Sequence, residues 1–250
     1  MTGDDRLLAW LAHRGAIRRL DAMPLPAFHF NLEGNRGTQA FLEHYGKRTI
    51  KGIVGFVDVV GFSTSVKGRS PEGIAEFLEP FLLGVCGIVT KNRGLVDKMI
   101  GDEIMFIVPE LLEDGGGPAP LSMGLLLAEL LTLQRRLGDA YRMRAGLAYG
   151  SLFISHLQAG SYSEWSIVGE PVHLAKRLMT DEVQVNPVSI ACAVGALMAE
   201  MAPPRFANLL GDVAGTVWQI SDQGTREDFK GVSAAHYAFL SPRELKGGVC

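Results

Sequence analysis

Two aspartates sit where an apolar strand would ordinarily carry no charge. In "GFVDVVGFS", residues 55–63, Asp58 ends an apolar run and a glycine follows; in "KMIGDEIMF", residues 98–106, Asp102 comes directly after a glycine. Alternate side chains of a strand share a face, so Phe56, Asp58 and Val60 are expected to point together. Gly101 lets the backbone approach closely at Asp102. If the segment around Asp102 is a hairpin paired beside the first strand, the two acids converge at one end of a sheet. Two hard carboxylates with no neighbouring His or Cys suit Mg²⁺ or Mn²⁺ rather than zinc. Two such ions about 4 Å apart can activate an attacking hydroxyl and steady a leaving phosphate. Taken alone, Asp58 reads better as a structural acid capping the next turn; Asp102 is what weighs against that.

The elements that must position these acids follow from the periodicity. "IKGIVGFVDVV" is β-branched, bounded by glycine, and reads as a buried strand. "SPEGIAEFLEPFLLGVCGIVTKN" opens on a Ser-Pro start and reads as a helix broken or kinked near Pro80. "GLVDKMIGDEIMFIV" is two strand-like halves around a turn at Gly101–Asp102. "PELLEDGGGPAP" is a loop, "LSMGLLLAELLTLQRRLGDA" a long amphipathic helix, and "MRAGLAYGSLFIS" a strand with a glycine turn. "EWSIVGEPVHLAKRLM" runs from a short strand through Gly-Glu-Pro into a helix, and closing strands follow from "GTVWQI" to "HYAFLSP". Two α/β repeats on one face of a mostly antiparallel sheet describe a ferredoxin-like α+β domain, βαββαβ. Residues 1–48 are expected to form a helical lead-in, 49–242 the domain and 243–250 a tail.

Composition narrows the partners. The chain of 250 residues is 47% apolar and 20% charged, with a formal net charge of -3. That offers no basic footprint, so a nucleic-acid partner is not expected. An anionic substrate would need metal ions or a few placed cations. The apolar runs 121–133 and 188–202 fall short of the roughly 18–20 residues that cross a bilayer. The acidic start "MTGDDRLLAW" lacks a secretory pattern, and Cys86, Cys192 and Cys250 are an odd, scattered set. A cytoplasmic location without a membrane partner is the expectation. His13, His29 and His44 have no ligand-like spacing.

The blocks "FVDVVGF", "KMIGDEIM" (its Asp 44 residues after Asp58), "RAGLAYG" and "SIVGEPVHLAKRL" occur in one order across about residues 50–240. Together they resemble the class III nucleotidyl cyclase domain, which has the palm-type ferredoxin-like fold. The resemblance implies that Asp58, Asp102 and the backbone carbonyl of Val59 hold two divalent ions. The backbone of Gly61, Phe62 and Ser63 would cradle phosphates at a helix start. It further implies a head-to-tail homodimer with composite sites. Lys98 would contact the base, Ser166 stands where many adenylate cyclases carry Asp, and His173 where Asn usually orients the ribose. Arg177 would stabilise charge on the reacting phosphate, and Lys230 in "DFKGV" would hold the terminal phosphates. Without the resemblance, Lys98 and Arg177 read as ordinary solvated cations.

A lysine only donates, which suits adenine N1, cytosine N3 or O2, or uracil O4, and suits guanine N1–H poorly. Ser166 is shorter than Asp and uncharged, which leaves ATP open while departing from the usual adenine pattern. With His173, these departures make the chain most similar to the stand-alone pyrimidine cyclases of bacterial Pycsar antiphage systems. That resemblance implies cCMP or cUMP as product, read by a separate effector. Two alternatives stand beside it: an adenylate cyclase making cAMP, and an inactive nucleotide-binding regulator. A diguanylate cyclase is disfavoured, because "IGDEI" lacks that family's GG(D/E)EF signature.

Overall fold

The computed structural model describes Leu42 and residues 45–110, 119–160, 162–180, 218–226 and 235–242. The expected lead-in falls almost wholly outside these, as do Lys230 and the tail. The elements are β1 (Thr49–Val59), α1 (Phe62–Ser65), α2 (Pro71–Lys91), β2 (Leu95–Ile100), β3 (Glu103–Pro109), α3 (Ala119–Leu137), β4 (Met143–Ala159), β5 (Tyr162–Val168), α4 (Glu170–Thr180), β6 (Trp218–Arg226) and β7 (Ala235–Pro242). The main sheet has the order β2-β3-β1-β4-β5, every neighbouring pair antiparallel. The run β1-α2-β2-β3-α3-β4 is the expected ferredoxin-like βαββαβ, with β5 and α4 appended. β6 and β7 pair with each other in a separate two-stranded sheet rather than closing the main one.

Alternation along β1 divides the core in two. Ile53, Val57 and Val59 face α2 and α3, meeting Phe81, Val85, Val89, Leu127 and Leu130. Val54 and Phe56 face the other way, onto Leu174, Ala175 and Leu178 of α4. Asp58 continues the Phe56 row, so the first acid belongs to the α4 face. Each fully buried Leu, Ile or Phe stabilises its layer by about 1.5–3 kcal/mol of apolar burial.

Two local expectations are corrected. The helix is not broken at Pro80; α2 runs unbroken for 21 residues with Pro80 inside it. Its start is firm, because Ser70 Oγ accepts from the Gly73 N–H at 3.2 Å and Pro71 opens the first turn. Its stripe Phe77, Phe81, Val85, Cys86, Val89 is buried on both sides of the proline, and that packing offsets the one missing hydrogen bond. By length and composition α2 would also suffice to cross a membrane, yet this stripe lies on the sheet.

The second correction concerns "MRAGLAYG", which holds no glycine turn: β4 passes straight through Gly146 and Gly150. Those glycines make room for α4. A Cβ on Gly146 would lie 2.1 Å from the Ala175 carbonyl oxygen, and one on Gly150 would lie 2.7 Å from the Pro171 ring. α4 covers the face opposite the two α/β repeats.

Candidate active site

The β2–β3 turn places Gly101 at φ 64°, a left-handed conformation that favours glycine, and so swings Asp102 back toward the end of β1. The Val59 N–H donates to Asp102 Oδ2 at 3.3 Å. Asp102 therefore lies against the amide that follows Asp58, and the two acids converge as expected. Burial, with the Asp58 charge adding to it, raises the Asp102 pKa above the usual aspartate value.

Asp58 is buried and already engaged. Arg144 Nε donates to its Oδ1 at 2.7 Å and Oδ2 at 2.9 Å, and Nη2 donates to Oδ2 at 2.7 Å. The two residues are cross-strand partners of β1 and β4. Hydrogen bonding to Asp58 raises the Arg144 pKa further, so this cation is permanent. Arg144 escaped the sequence reading although it lies in a quoted block. Only the strand register shows what it faces, and one sequence does not contain that register.

Two more residues reach this end unannounced. Lys176 of α4 pairs with Glu103 at the start of β3, and its ammonium lies 5.5 Å from the centre of the Phe56 ring. The pair ties α4 to the hairpin that carries Asp102.

Gly61 follows β1 with φ 73° and opens the four-residue helix α1, which no side chain caps. A left-handed Gly61, three residues past Asp58, turns the chain off the sheet into Phe62 and Ser63. The Phe62 ring packs on the core, 6.3 Å from Phe77, and pins the turn.

Lys98 shares the α4 face with Asp58. β2 has a bulge between Val96 and Lys98; Val96 pairs with Phe106 on the α2 face, whereas Lys98 pairs with Met105 on the α4 face. Ser166 is on β5, the opposite edge in hydrogen-bond order, paired with Ser155. The two edges are nonetheless within electrostatic reach, since Glu164 of β5 helps raise the pKa of Asp97 beside Lys98, after burial as the main cause.

His173 and Arg177 are one turn apart on α4, but on its outer side. The helix buries Pro171, Leu174, Ala175, Leu178 and Met179, and leaves His173 exposed and Arg177 half-buried. Among the described residues, neither has a hydrogen bond or ion pair to Asp58 or Asp102. One chain thus brings together Asp58, Asp102, Val59 and the Gly61–Ser63 backbone, and presents His173 and Arg177 outward.

As a holder of divalent cations the donor set fits in its chemistry. It is two carboxylates beside a backbone strand end; Arg144 already offsets the Asp58 charge, so a cation would share that carboxylate and relieve the desolvated Asp102. Among the described residues no cluster of three or more His, Cys, Asp or Glu offers a rival centre. The thiol of Cys86, buried in α2, is pushed up to about 12 and is inert.

Solved nucleotidyl cyclase structures share this fold. The guanylyl cyclase Cya2 superposes with a TM-score of 0.57 over 81% of this chain and 98% of that one, at 15% identity. The fold is that of a nucleotidyl cyclase domain. The adenylyl cyclase CyaB from P. aeruginosa matches with a TM-score of 0.56 over 80% of this chain and 98% of that one, at 18% identity. A non-canonical dimeric guanylyl cyclase domain from the aquatic fungus Blastocladiella emersonii matches with a TM-score of 0.53 over 78% of this chain and 99% of that one, at 13% identity.

In sequence, an uncharacterized protein of Mycobacterium tuberculosis is 30% identical over 127 residues, 49% of this chain and 22% of that protein. An adenylate cyclase of Streptomyces coelicolor is 27% identical over 125 residues, 50% of this chain and 28% of that one. The matched region is therefore about a quarter of each of these relatives. No family model matches the chain.

Proposed function

We propose that this chain is a nucleotidyl cyclase that converts a nucleoside triphosphate into its 3′,5′-cyclic monophosphate and pyrophosphate. The observation that carries the proposal is the meeting of Asp58 and Asp102 at the end of β1, with Asp102 on the Val59 amide, in a cyclase fold. In the reaction the ribose 3′-oxygen bonds to the α-phosphorus, the bond to the β-phosphate oxygen breaks, the hydroxyl proton is released and pyrophosphate leaves. Asp58, Asp102 and the Val59 carbonyl would hold two Mg²⁺ or Mn²⁺ ions, which when bound supply Lewis-acid activation of the hydroxyl and neutralise phosphate charge.

The chain's own residues do the positioning, which dominates phosphoryl transfer. Arg144 orients the Asp58 carboxylate, and adds a fixed positive charge beside the place a polyphosphate would occupy. The amides around Gly61, Phe62 and Ser63 receive phosphate oxygens. Two copies arranged head to tail complete each site, a reading supported by the outward His173 and Arg177. The second copy brings Arg177 to the developing charge, His173 to the ribose, Lys98 and Ser166 to the base, and Lys230 to the terminal phosphates.

Lys98 donates to a base acceptor and disfavours GTP. Ser166 and His173 depart from the adenylate pattern, and on that ground the proposed substrate is CTP or UTP. The product would be a second messenger read by a separate effector in antiphage defence. The Streptomyces adenylate cyclase among the relatives favours a second reading, ATP to cAMP. Incubation with ATP, GTP, CTP and UTP separately, with Mn²⁺ and with Asp58→Ala as the blank, separates them. A cyclic pyrimidine nucleotide supports the first reading and cAMP the second. No cyclic product from any substrate would leave a nucleotide-binding regulator.

A further inference from the structure

The β2 bulge does more than interrupt a ladder. Leu95 pairs with Ile107, Val96 with Phe106, Lys98 with Met105, and Asp97 is the extra residue. In an unbulged strand, positions 96 and 98 would share a face, because the side-chain period is two. Val96 is buried against the α2–α3 layer, so an unbulged Lys98 would lie under those helices. The inserted Asp97 turns Lys98 to the α4 face, where Phe56 and Asp58 point.

Asp97 also meets the lysine it redirects. Neighbouring residues of a regular strand point apart, yet Lys98 Nζ lies 3.2 Å from Asp97 Oδ2. The Asp97 side chain is 2% exposed and that of Lys98 37%. The approach is an ion pair of poor hydrogen-bond geometry, and among the described residues Lys98 alone answers this oxygen. A buried carboxylate oxygen with so partial a partner costs stability. Among the described buried side chains it is the one polar atom left so. The fold therefore carries a cost at the residue next to the expected base contact, and local cost of that kind concentrates at functional sites.

We propose that Asp97 is a positioning residue that presets the Lys98 ammonium for recognition of the nucleotide base. The proposal rests on the reading of Lys98 as a base contact. A free lysine must give up much of its rotamer freedom to bind. Held from behind by a fixed carboxylate, Lys98 loses less on meeting a base acceptor and keeps its remaining N–H donors directed outward. Asp97 thereby sharpens discrimination between bases without touching the substrate.

The test is binding of the four 3′-deoxynucleoside triphosphates, which lack the attacking hydroxyl, to the full chain with Mn²⁺. Wild type, Asp97→Asn, Lys98→Met and the double variant are compared, with thermal unfolding of each. Lys98→Met should abolish most of the base preference. Asp97→Asn should narrow it about five- to tenfold while the Tm holds or rises, since the substitution removes a buried charge and not a contact that supports the fold. The double variant should bind like Lys98→Met alone, because Asp97 acts through Lys98. A wild-type preference in Asp97→Asn alongside its loss in Lys98→Met overturns the positioning role and leaves the base contact standing. An unchanged preference in Lys98→Met overturns both. Failure of all four nucleotides to bind the wild type would remove the nucleotide reading itself.

Discussion

The end of β1 and the outer side of α4 both carry residues fit to handle a phosphate, and the fold treats them in opposite ways. At the end of β1 the charges are sequestered: Asp58 is buried and forked by Arg144, and Asp102 is tied to the Val59 amide. On α4 they face outward, with His173 exposed and Arg177 half-buried, while the apolar side of the same helix is pressed onto β4. The first region is preorganised within one chain; the second has geometry without a ligand-side counterpart in that chain. The difference is what the proposed site, completed by a second copy, would require.

The largest effect should come from the sequestered region. Asp58→Ala or Asp102→Ala should lower cyclic nucleotide formation about a thousandfold or more, read as product per unit time. The two should differ in stability, which sharpens the contrast inside the region. Asp58→Ala leaves Arg144 without its carboxylate and should cost about 1–3 kcal/mol, reduced by the solvent that already reaches the guanidinium. Asp102→Ala should unfold near the wild-type denaturant midpoint. A sequence reading alone would treat the two acids alike; the Arg144 fork separates them.

Next, Arg177→Ala should lower kcat about 10²- to 10³-fold by removing a cation from the developing charge, with no change in Tm. A destabilised Arg177→Ala protein would break the comparison, because it would make the outer side of α4 structural. Smaller again is the effect of the support beneath it. Gly146→Val would drive a branched side chain into the Ala175 carbonyl and the Met179 amide, and should cost about 1–3 kcal/mol in urea unfolding.

The smallest effect concerns pH. Burial holds the Asp97 pKa above the ordinary 3.8, so the folded state is penalised when Asp97 is ionised. Asp97→Asn should therefore raise Tm at neutral pH. The gain should shrink as pH falls through the raised Asp97 range and vanish below the ordinary value, where the acid is neutral in both states.

The sequence made some of this legible and hid the rest for physical reasons. Asp58 and Asp102 were readable because a charge closing an apolar strand and a charge after a turn glycine are both costly locally. The βαββαβ order was readable because each element carries its own period. Arg144 was hidden because its role depends on the cross-strand register with Asp58, which spans 86 residues of chain. The Asp97 bulge was hidden because "LVDKMI" alternates acceptably with or without it; only pairing with β3 shows the extra residue. Gly146 and Gly150 looked like a turn because their reason, the close approach of α4, lies outside the strand that contains them. Pro80 looked like a break because local propensity does not see the buried stripe that carries α2 through it.

The account turns on one site being built from two regions that a single chain keeps apart. Its most direct test mixes equal amounts of Asp58→Ala and Arg177→Ala chains, each inactive alone, and measures cyclic nucleotide formation. Random pairing in a head-to-tail dimer makes half the dimers mixed, each with one intact site, so activity should return to about a quarter of wild type. A mixture that exchanges subunits and stays as inactive as its components would contradict the account, since both residues would then have to act within one chain.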